Sequence, residues 1–140
     1  MSANYNDFNR NLIADLRANR GKATSGPFLG RDVLIVTSKG AKTGEPRETP
    51  LAFTRAGDGY VIIASKGGAP SHPGWYHNLK TNPEVTVEVL GETLTAVAEE
   101  QHGAERDRLY AAQASKMPAF AEYETKTTRK IPLFILKPKA

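Results

Sequence analysis

The chain of 140 residues contains no cysteine. Without thiols it cannot form disulfides, use a cysteine nucleophile or build a zinc site on thiolates. Its three histidines are His72, His77 and His102. His72 and His77 are separated by five positions across a predicted helix start, which is a poor spacing for metal ligands. We therefore predict no metal site and give both side chains hydrogen-bonding or structural roles.

Long apolar runs are also missing. The longest are residues 33–36, 61–64 and 131–136, the last broken by Pro132. All are far shorter than the roughly 20 residues of a membrane span. The first ten residues are mostly polar and lack the apolar segment of a secretory signal peptide. Together with the absence of cysteine, this predicts a cytoplasmic protein.

A concentrated stretch of basic charge is absent as well. The net charge is +4. Residues 1–80 carry 11 basic and 6 acidic side chains, and residues 81–110 carry 2 basic and 7 acidic ones. Residues 111–140 carry 6 basic and 2 acidic side chains. A nucleic-acid-binding protein usually concentrates a larger excess along one element. Many basic residues here lie beside glycines. Ten of the twelve glycines fall within residues 21–74. This favours a small polyanionic ligand over nucleic acid.

The length and the hydrophobic content of 39% predict one globular domain over residues 1–140. Residues 1–30 would form an N-terminal helix and loop, and residues 31–140 a β-rich body. Hydrophobic spacing predicts helices at 5–19, 75–81, 103–116 and 118–126, and strands at 32–38, 48–55, 60–65, 85–90, 93–100 and 131–137.

The order of these elements indicates the fold class. Consecutive strands joined by tight turns pair antiparallel, and six strands with few helices predict a small closed or split barrel. A doubly wound parallel sheet is not expected, because strands and helices do not alternate. Pro50, near the start of the second strand, predicts a sheet edge or a bulge.

The first segment that could carry chemistry is residues 40–47, GAKTGEPR. Its glycines allow a tight turn that presents backbone N–H groups, and Lys42 and Arg47 add positive charge, so the loop could hold a phosphate. It does not match the spacing of a Walker A motif. The alternative is a solvated hairpin turn.

The second segment, residues 65–78, begins where a strand ends at Ser65 and continues into the glycine turn Lys66-Gly67-Gly68. Backbone N–H groups after a strand can hold an anion or a carbonyl oxygen. Trp75, the single tryptophan, could form the wall of a pocket for a flat ring. The alternative is a loop that covers the barrel mouth, with Trp75 in the core.

The third segment is residues 117–129, in which Met117, Phe120 and Tyr123 recur every three positions and so share one helix face. The Tyr123 hydroxyl could donate a hydrogen bond or a proton to a substrate. The alternative is a stripe that packs in the core. No G-x-S-x-G nucleophile motif occurs anywhere in the chain.

Three stretches, GAKTGEPRETPL, ASKGGAPSHPGWYHNLKTNP and YETKTTRKIPLFIL, occur in the order and spacing of a known family. Over about residues 33–136 the chain resembles the deazaflavin-dependent nitroreductases of actinobacteria. These are split β-barrel proteins related to the flavin-mononucleotide-binding oxidases. The resemblance implies a six-stranded antiparallel split β-barrel with an N-terminal helix and peripheral helices. It also implies binding of coenzyme F-420, a deazaflavin with a phosphodiester and an oligoglutamate tail.

The resemblance implies roles for particular positions on the cofactor side. Lys42, Thr43 and Arg47 would contact the phosphate and tail, and Pro50 would lie against the deazaflavin. Ser65 and the second glycine loop, residues 66–68, would line the cofactor. The implied cofactor-binding residues are Lys42, Thr43, Arg47, Pro50, Ser65, Lys66, Gly67, Gly68 and Trp75.

On the acceptor side, the resemblance implies a substrate pocket formed by Trp75, Met117, Phe120 and Tyr123. Family members that reduce nitroimidazole drugs carry several tyrosines on this last helix, whereas this chain keeps only the Tyr123 hydroxyl. Ala52 stands where an aromatic residue can occur, which predicts a roomier pocket. We assign Tyr123 and Ser65 as catalytic residues, because each could donate to the negative oxygen that develops on the acceptor.

The sequence thus predicts an enzyme that passes a hydride from reduced F-420 to a small acceptor such as a quinone, a nitroaromatic compound or an enone. The alternatives are a flavin-mononucleotide-dependent oxidoreductase on the same barrel and a non-catalytic protein that binds or stores F-420. Related barrels often pair, so analogy suggests a homodimer. Analogy with quinone-reducing relatives also suggests contact of the N-terminal helix with the inner face of the cell membrane, although its short apolar stripe predicts a mainly soluble protein.

Overall fold

A computed structural model describes residues 2–24, 26, 28–65 and 72–139, with the backbone alone for residues 2–7. Within these residues the chain forms four helices and seven strands. In chain order they are α1 (Ser2–Ala18), β1 (Val33–Lys39), β2 (Pro46–Ala52), β3 (Thr54–Ala56), β4 (Gly59–Ile63), α2 (Gly74–Thr81), β5 (Glu84–Val89), β6 (Glu92–Gln101), α3 (Gly103–Lys116), α4 (Ala119–Lys126) and β7 (Leu133–Pro138).

The seven strands form one sheet in the order β2-β1-β5-β6-β7-β4-β3, and every pairing is antiparallel, as predicted. The two outermost strands, β2 and β3, are consecutive in the chain and are separated only by Phe53. One extended segment therefore pairs with β1 through its first half and with β4 through its second half. This connection joins the two edges of the sheet and curves it into a split barrel.

The predicted count of six strands is wrong by one, because the single strand expected at residues 48–55 is divided at Phe53. The Phe53 backbone N–H donates to the Asp32 carbonyl oxygen at 3.1 Å, and the next residue begins the pairing with β4. The buried Phe53 ring packs edge-on against Tyr60 of β4, with centroids 5.4 Å apart. The change of partner strand explains the division. Pro50 lies on the edge strand β2, as predicted.

Side chains alternate between the inside and the outside of the barrel along three strands. Leu34 and Val36 of β1 point into the interior cluster, whereas Val33 and Ile35 face α1. The strands β4 and β7 alternate in the same way between the interior and a second cluster that involves α3. Because both faces are covered, these strands are uninterrupted apolar runs in the sequence instead of alternating ones.

The helix α1 packs on the outside of β1 through Leu12, Ile13 and Leu16. Leu16 is almost fully buried, which stabilises the fold by roughly 1.5–3 kcal/mol relative to an exposed side chain. The helix ends just before Gly21, which has φ of +87°, and a Cβ added there would lie 2.6 Å from the Leu90 backbone nitrogen. Glycine is therefore required where the chain leaves α1.

The other helices determine where a site can form. Trp75 and Leu79 of α2 belong to the interior cluster and close one end of the barrel. The helices α3 and α4 cover the outer face of β4 and β7, and bring Phe120 and Tyr123 to that cluster. None of the described helices is both long and apolar enough to cross a membrane.

Candidate functional site

A cavity of about 410 Å³ opens beside the edge strand β2 and is bordered by α2 and α4. It brings together residues from all parts of the chain, including six that the sequence had singled out as site residues. These six are Pro50, Ser65, Trp75, Met117, Phe120 and Tyr123.

One side of the cavity is formed by residues assigned to the cofactor. Pro50 lies opposite Ile35 in the pairing of β2 with β1, so its ring is held by a central part of the sheet. Ser65 follows the end of β4 and is 8% exposed, and Trp75 in the first turn of α2 is also 8% exposed. Trp75 both packs in the barrel interior and lines the cavity.

The opposite side of the cavity is formed by Met117 and α4. The rings of Phe120 and Tyr123 pack edge to face with centroids 5.3 Å apart, and both are half-buried. Phe120 and Tyr123 thus pack partly against the core, as the alternative interpretation predicted, and also form part of the cavity wall. Across the part of the chain that the structure describes, the Tyr123 hydroxyl has no hydrogen-bond partner, which leaves it able to donate to a bound molecule.

Several lining residues were not recognised in the sequence as site residues, among them Phe8, Phe28 and Arg31. Phe8 and Phe28 face each other with ring centroids 6.3 Å apart, and Arg31 adds a cation beside them. Phe8 lies within the helix predicted at residues 5–19 and was not assigned to a site. No local signal distinguishes a residue that packs on the barrel from one that reaches past its edge. Ala52 lines the cavity as well, consistent with the predicted roomier pocket.

The first glycine loop, residues 40–45, is tightly closed and attached to α2. Its ends are joined by a hydrogen bond from Gly40 N to Glu45 O at 2.7 Å, and Ala41 N donates to Asn78 Oδ1 at 2.9 Å. A Cβ at Gly40 would lie 2.9 Å from Thr43 Oγ1, so a larger residue there would displace the Thr43 side chain. The loop is therefore fixed to the same helix that carries Trp75.

Arg47 Nη2 donates to Thr43 Oγ1 at 3.5 Å, and Lys42 is exposed on the same loop. Lys42 and Thr43 therefore lie on this loop and Arg47 at the start of β2, and none of the three lines the 410 Å³ cavity. Arg47 lines a neighbouring groove of about 570 Å³ between α1 and β2, together with Arg10 and Arg17. Positive charge thus lies beside the cavity and outside it.

Arg17 in that groove is held by two carboxylates. Its guanidinium donates to Glu48 at 2.5 Å and to Glu88 at 2.7 and 2.9 Å. These hydrogen bonds raise the pKa of Arg17 and lower the pKa of Glu88. Arg17 therefore fastens α1 to β2 and β5, and its charge is largely balanced by these partners.

The second glycine loop was expected to line the cofactor, and Lys66, Gly67 and Gly68 lie outside the described residues. The residues on either side of it are held by Arg129, which sequence reasoning missed. Arg129 donates to the Ser65 carbonyl oxygen at 2.7 Å and lies 2.8 Å from His72 Nδ1. Arg129 had been quoted only as part of the third motif, where nothing local indicates its partners 57 and 64 residues away.

The donor set fits a flat ring with an anionic tail. Apolar and aromatic side chains line the cavity, which suits a planar ring system. Lys42 on the adjoining loop and Arg47 at the start of β2 add exposed cations, which suit phosphate and carboxylate groups. These are the chemical features that F-420 requires.

Solved structures share this fold. An F420-H2-dependent reductase (FDR-A) is 41% identical with a TM-score of 0.71, and the match covers 76% of this chain and 95% of that one. A second structure, a domain-swapped dimer, is 33% identical with a TM-score of 0.72 over 98% of this chain and all of that one. The predicted split-barrel class is confirmed.

Sequence comparison gives the family. A family model described as F420H(2)-dependent quinone reductase matches residues 8–138. An F420H(2)-dependent quinone reductase of Mycobacterium tuberculosis is 41% identical over 106 residues, which cover 74% of this chain and 71% of the relative. These matches confirm the predicted F-420-dependent reductase and its cofactor, and the chain belongs to the F420H(2)-dependent quinone reductase family.

Proposed function

We propose that this protein transfers a hydride from reduced F-420 to a quinone-like acceptor that lies in the 410 Å³ cavity. The observation that carries the proposal is the composition of the cavity. Pro50, Ser65 and Trp75 line one side, and Phe120 and Tyr123 line the other, so a cofactor ring and an acceptor ring could meet between them. Reduced F-420, when bound, supplies the hydride.

On the cofactor side, the protein binds and orients. Pro50 and Trp75 offer apolar contact to a flat ring, and both are held rigidly by the sheet and the barrel interior. Lys42, Thr43 and Arg47 would bind the phosphate and the glutamate tail through charge-assisted hydrogen bonds. The attachment of this loop to α2 through Asn78 supports a fixed distance between the tail contacts and Trp75.

On the acceptor side, the protein excludes water and stabilises charge. Addition of a hydride to a quinone leaves a negative oxygen that must be stabilised and then protonated. The Tyr123 hydroxyl can donate to that oxygen, since it has no other partner among the described residues. Ser65 can supply a second donor from the opposite wall, and the aromatic side chains around both keep the local dielectric low.

The lining favours a flat acceptor that carries no positive charge. Its aromatic residues suit a quinone ring, and no acidic residue is among the side chains that line the cavity in the described part of the chain. Nitroaromatic compounds and enones share the flat shape and would be tested beside quinones.

Two measurements test the proposal. Titration with F-420 should change its fluorescence with saturable binding, whereas flavin mononucleotide should bind much more weakly. Oxidation of reduced F-420 should then proceed with benzoquinones or naphthoquinones. Tight binding of flavin mononucleotide would favour the flavin alternative, and F-420 binding without turnover across quinones, nitroaromatics and enones would favour a storage protein.

A homodimer is supported by the related domain-swapped dimer, and light scattering at several protein concentrations tests it. Membrane contact is a separate prediction. The apolar stripe Leu12, Ile13 and Leu16 of α1 is buried against β1, so contact through that stripe requires the helix to leave the barrel. Co-sedimentation with anionic vesicles, compared with neutral ones, measures it.

A further inference from the structure

The cavity beside β2 contains one charged side chain among the described residues that line it. That side chain is Arg31, and the other lining residues are apolar, aromatic or neutral polar ones. Arg31 is exposed to solvent, so it lies where the cavity opens. A lone cation on an otherwise uncharged lining gives this end of the cavity a positive potential. A negatively charged group on a bound molecule would therefore be attracted to Arg31.

The backbone on both sides of Arg31 is held in place. The Arg31 N–H donates to the Phe28 carbonyl oxygen at 2.9 Å, which closes a tight turn. Gly30 within this turn has φ of +77°, a conformation that favours glycine. The carbonyl oxygen of the next residue, Asp32, accepts a hydrogen bond from Phe53 N at 3.1 Å. The side chain of Arg31 therefore extends toward the cavity from a fixed point of the fold.

The guanidinium of Arg31 uses little of its binding capacity within the chain. Its Nη1 donates to the Lys116 carbonyl oxygen at the end of α3, a long contact of 3.4 Å. No carboxylate pairs with Arg31 in the part of the chain that the structure describes, whereas Arg17 and Arg106 each pair with two. The neighbouring Asp32 is not among the lining residues. A planar guanidinium has five N–H donors and can bind a carboxylate or a sulfonate through two of them.

We propose that Arg31 forms an anion subsite at the opening of the cavity, and that the preferred acceptors are flat rings with a negatively charged substituent such as a carboxylate or a sulfonate. The inference rests on the proposed function, since it takes the cavity to hold the acceptor. The quinone ring takes up a hydride from reduced F-420 and a proton from solvent and becomes a hydroquinone. No bond to the charged substituent forms or breaks.

The aromatic residues beside Arg31 explain why the charged group should be attached to a ring. Phe28 is half-buried, and its ring centroid lies 6.3 Å from that of Phe8. These rings present an apolar surface that a small inorganic anion cannot use. An aromatic anion can place its ring against Phe28 while its charged group contacts Arg31. The subsite therefore favours aromatic anions over free phosphate or sulfate.

Arg31 also has a structural role that the tests must separate from anion binding. Lys116 is the last residue of α3, and a cation beside the last carbonyl groups of a helix stabilises that helix. If capping is the whole role of Arg31, its replacement will affect all acceptors equally. If Arg31 forms an anion subsite, the effect will depend on the charge of the acceptor.

The first test measures kcat/KM for a naphthoquinone sulfonate and for menadione, a neutral naphthoquinone, in wild type and variants. The ratio of the two values, compared between proteins, cancels the different intrinsic reactivity of the quinones. Arg31→Gln should lower the sulfonate-to-menadione ratio by roughly tenfold, a modest effect for a charge-assisted hydrogen bond because solvent screens an exposed cation. Arg31→Glu should lower the ratio further, and Arg31→Lys should keep most of it. An unchanged ratio in Arg31→Gln would overturn the inference.

Lys116→Gln is the matched control for the first test. Lys116 is an exposed cation whose backbone contacts Arg31, and it is not among the lining residues. Its replacement should leave the ratio nearly unchanged, and a fall equal to that in Arg31→Gln would overturn the specific role of Arg31. Added salt should lower the ratio in the wild type and have little effect on it in Arg31→Gln. Equal salt effects in the two proteins would also count against the subsite.

The second test needs no turnover of the charged ligand. Naphthoate and naphthamide have nearly the same shape and differ in charge, and each is tested as an inhibitor of menadione reduction. Naphthoate should compete with menadione and inhibit the wild type roughly tenfold more strongly than naphthamide does, because its carboxylate can pair with Arg31. The two compounds should inhibit Arg31→Gln about equally. Equal inhibition constants in the wild type would overturn the inference.

F-420 affinity and stability separate the remaining outcomes. Arg31→Gln should bind F-420 as tightly as the wild type, and a clear loss of affinity would place Arg31 at the cofactor and overturn the inference. Equal losses with both quinones, together with a lower unfolding midpoint, would leave Arg31 with the capping role alone. If the wild type oxidises reduced F-420 with neither quinone, the proposed function fails and this inference fails with it. If the wild type reduces menadione and the ratio is unchanged in Arg31→Gln, only this inference fails.

Discussion

The Tyr110 hydroxyl donates a hydrogen bond to the Phe120 backbone carbonyl oxygen at 2.7 Å, across ten residues of the chain. This bond ties α3 to the start of α4, and the two rings also meet edge to face with centroids 6.5 Å apart. Tyr110 is 2% exposed, and its burial raises the pKa to about 12, so the hydroxyl stays protonated and able to donate at ordinary pH. The position of one cavity wall thus depends on a buried residue outside the cavity.

Removing that hydroxyl should therefore affect both stability and acceptor binding. We expect Tyr110→Phe to lower the free energy of unfolding by about 1–3 kcal/mol, since the Phe120 carbonyl oxygen loses its donor in a partly buried place. The KM for the acceptor should rise while F-420 affinity stays the same. Urea unfolding and steady-state kinetics measure these effects. Tyr76→Phe is the control, because its hydroxyl makes only a long contact of 3.5 Å with Glu100, and equal midpoints for both variants would contradict the prediction.

Local patterns were enough to predict most of the fold. The apolar β-branched run of β1 and the glycine turn before β4 predicted strands and hairpins, because both signals depend on neighbouring residues. The division of β2 from β3 was missed, since Phe53 changes its partner strand without any break in strand-forming residues. A change of partner is a tertiary event that local propensity does not record.

Some residues of the candidate site could likewise be predicted from local patterns, and others could not. Pro50, Ser65 and Tyr123 could be singled out because they stand in or beside recognisable motifs, and the structure brings all three to one cavity. Phe8 and Arg129 could not be singled out from the sequence. Each reaches its neighbours from a distant part of the chain, and the residues around it in the sequence look like an ordinary helix stripe or a charged turn.

The cationic loop gives a second prediction. Lys42→Ala or Arg47→Ala should weaken F-420 binding by about 1–3 kcal/mol, the usual effect of losing a charge-assisted hydrogen bond. The loss should be smaller for a deazaflavin analogue without phosphate and tail. Fluorescence titration of both ligands measures this, with Arg108→Ala on α3 as the control, since Arg108 pairs with Glu105 on the surface. Equal losses for the two ligands would refute the assignment.

Ala52 gives a prediction about acceptor size. It is half-buried in the cavity lining, so a phenyl ring in Ala52→Phe should occupy part of the roughly 410 Å³ space. We expect kcat/KM for a naphthoquinone to fall by about tenfold and that for a small benzoquinone to change less, because lost contact or fit in a pocket changes discrimination by roughly 1–3 kcal/mol. Steady-state kinetics of wild type and Ala52→Phe with both quinones measure this difference. Equal losses of kcat/KM for the two quinones would show that residue 52 does not control acceptor size.

The attachment of α1 gives a prediction about pH. The hydrogen bond from Arg17 lowers the pKa of Glu88 below its ordinary value of 4.5. A lowered folded-state pKa means that the carboxylate stabilises the fold fully above about pH 4.5, and that this contribution is lost as the pH falls through the lower folded-state value. Glu88→Gln should therefore flatten the loss of stability in that acidic range.

Because Arg17 and Glu88 are 42% and 26% exposed, solvent and salt screen the pair, and the difference between the proteins should shrink at high salt. Thermal unfolding of wild type and variant from neutral to acidic pH measures it. Glu105→Gln is the control, since Glu105 pairs with Arg108 within α3 and holds no other element. A flattening in the control equal to that in Glu88→Gln would argue against a specific role for α1.

The last prediction concerns Tyr123. Tyr123 lies on a helix that is distant in sequence from both cofactor loops, and it lines the cavity opposite Pro50 and Ser65. We therefore expect its hydroxyl to contact the acceptor. Tyr123→Phe should leave F-420 affinity within about twofold and lower kcat and kcat/KM together by roughly tenfold to a thousandfold, since a donor to a developing negative oxygen acts mainly in the transition state.

The contact between the rings makes this variant a clean test. Phenylalanine at position 123 keeps the edge-to-face packing on Phe120, whose centroid lies 5.3 Å away, so the wall of the cavity should persist. Unfolding midpoints equal to those of the wild type would show that the wall is intact, and any loss of rate then belongs to the hydroxyl. If kcat is unchanged with several quinones, Tyr123 acts only by packing. Ser65 would then be the remaining side-chain donor among those we assign to the developing negative oxygen.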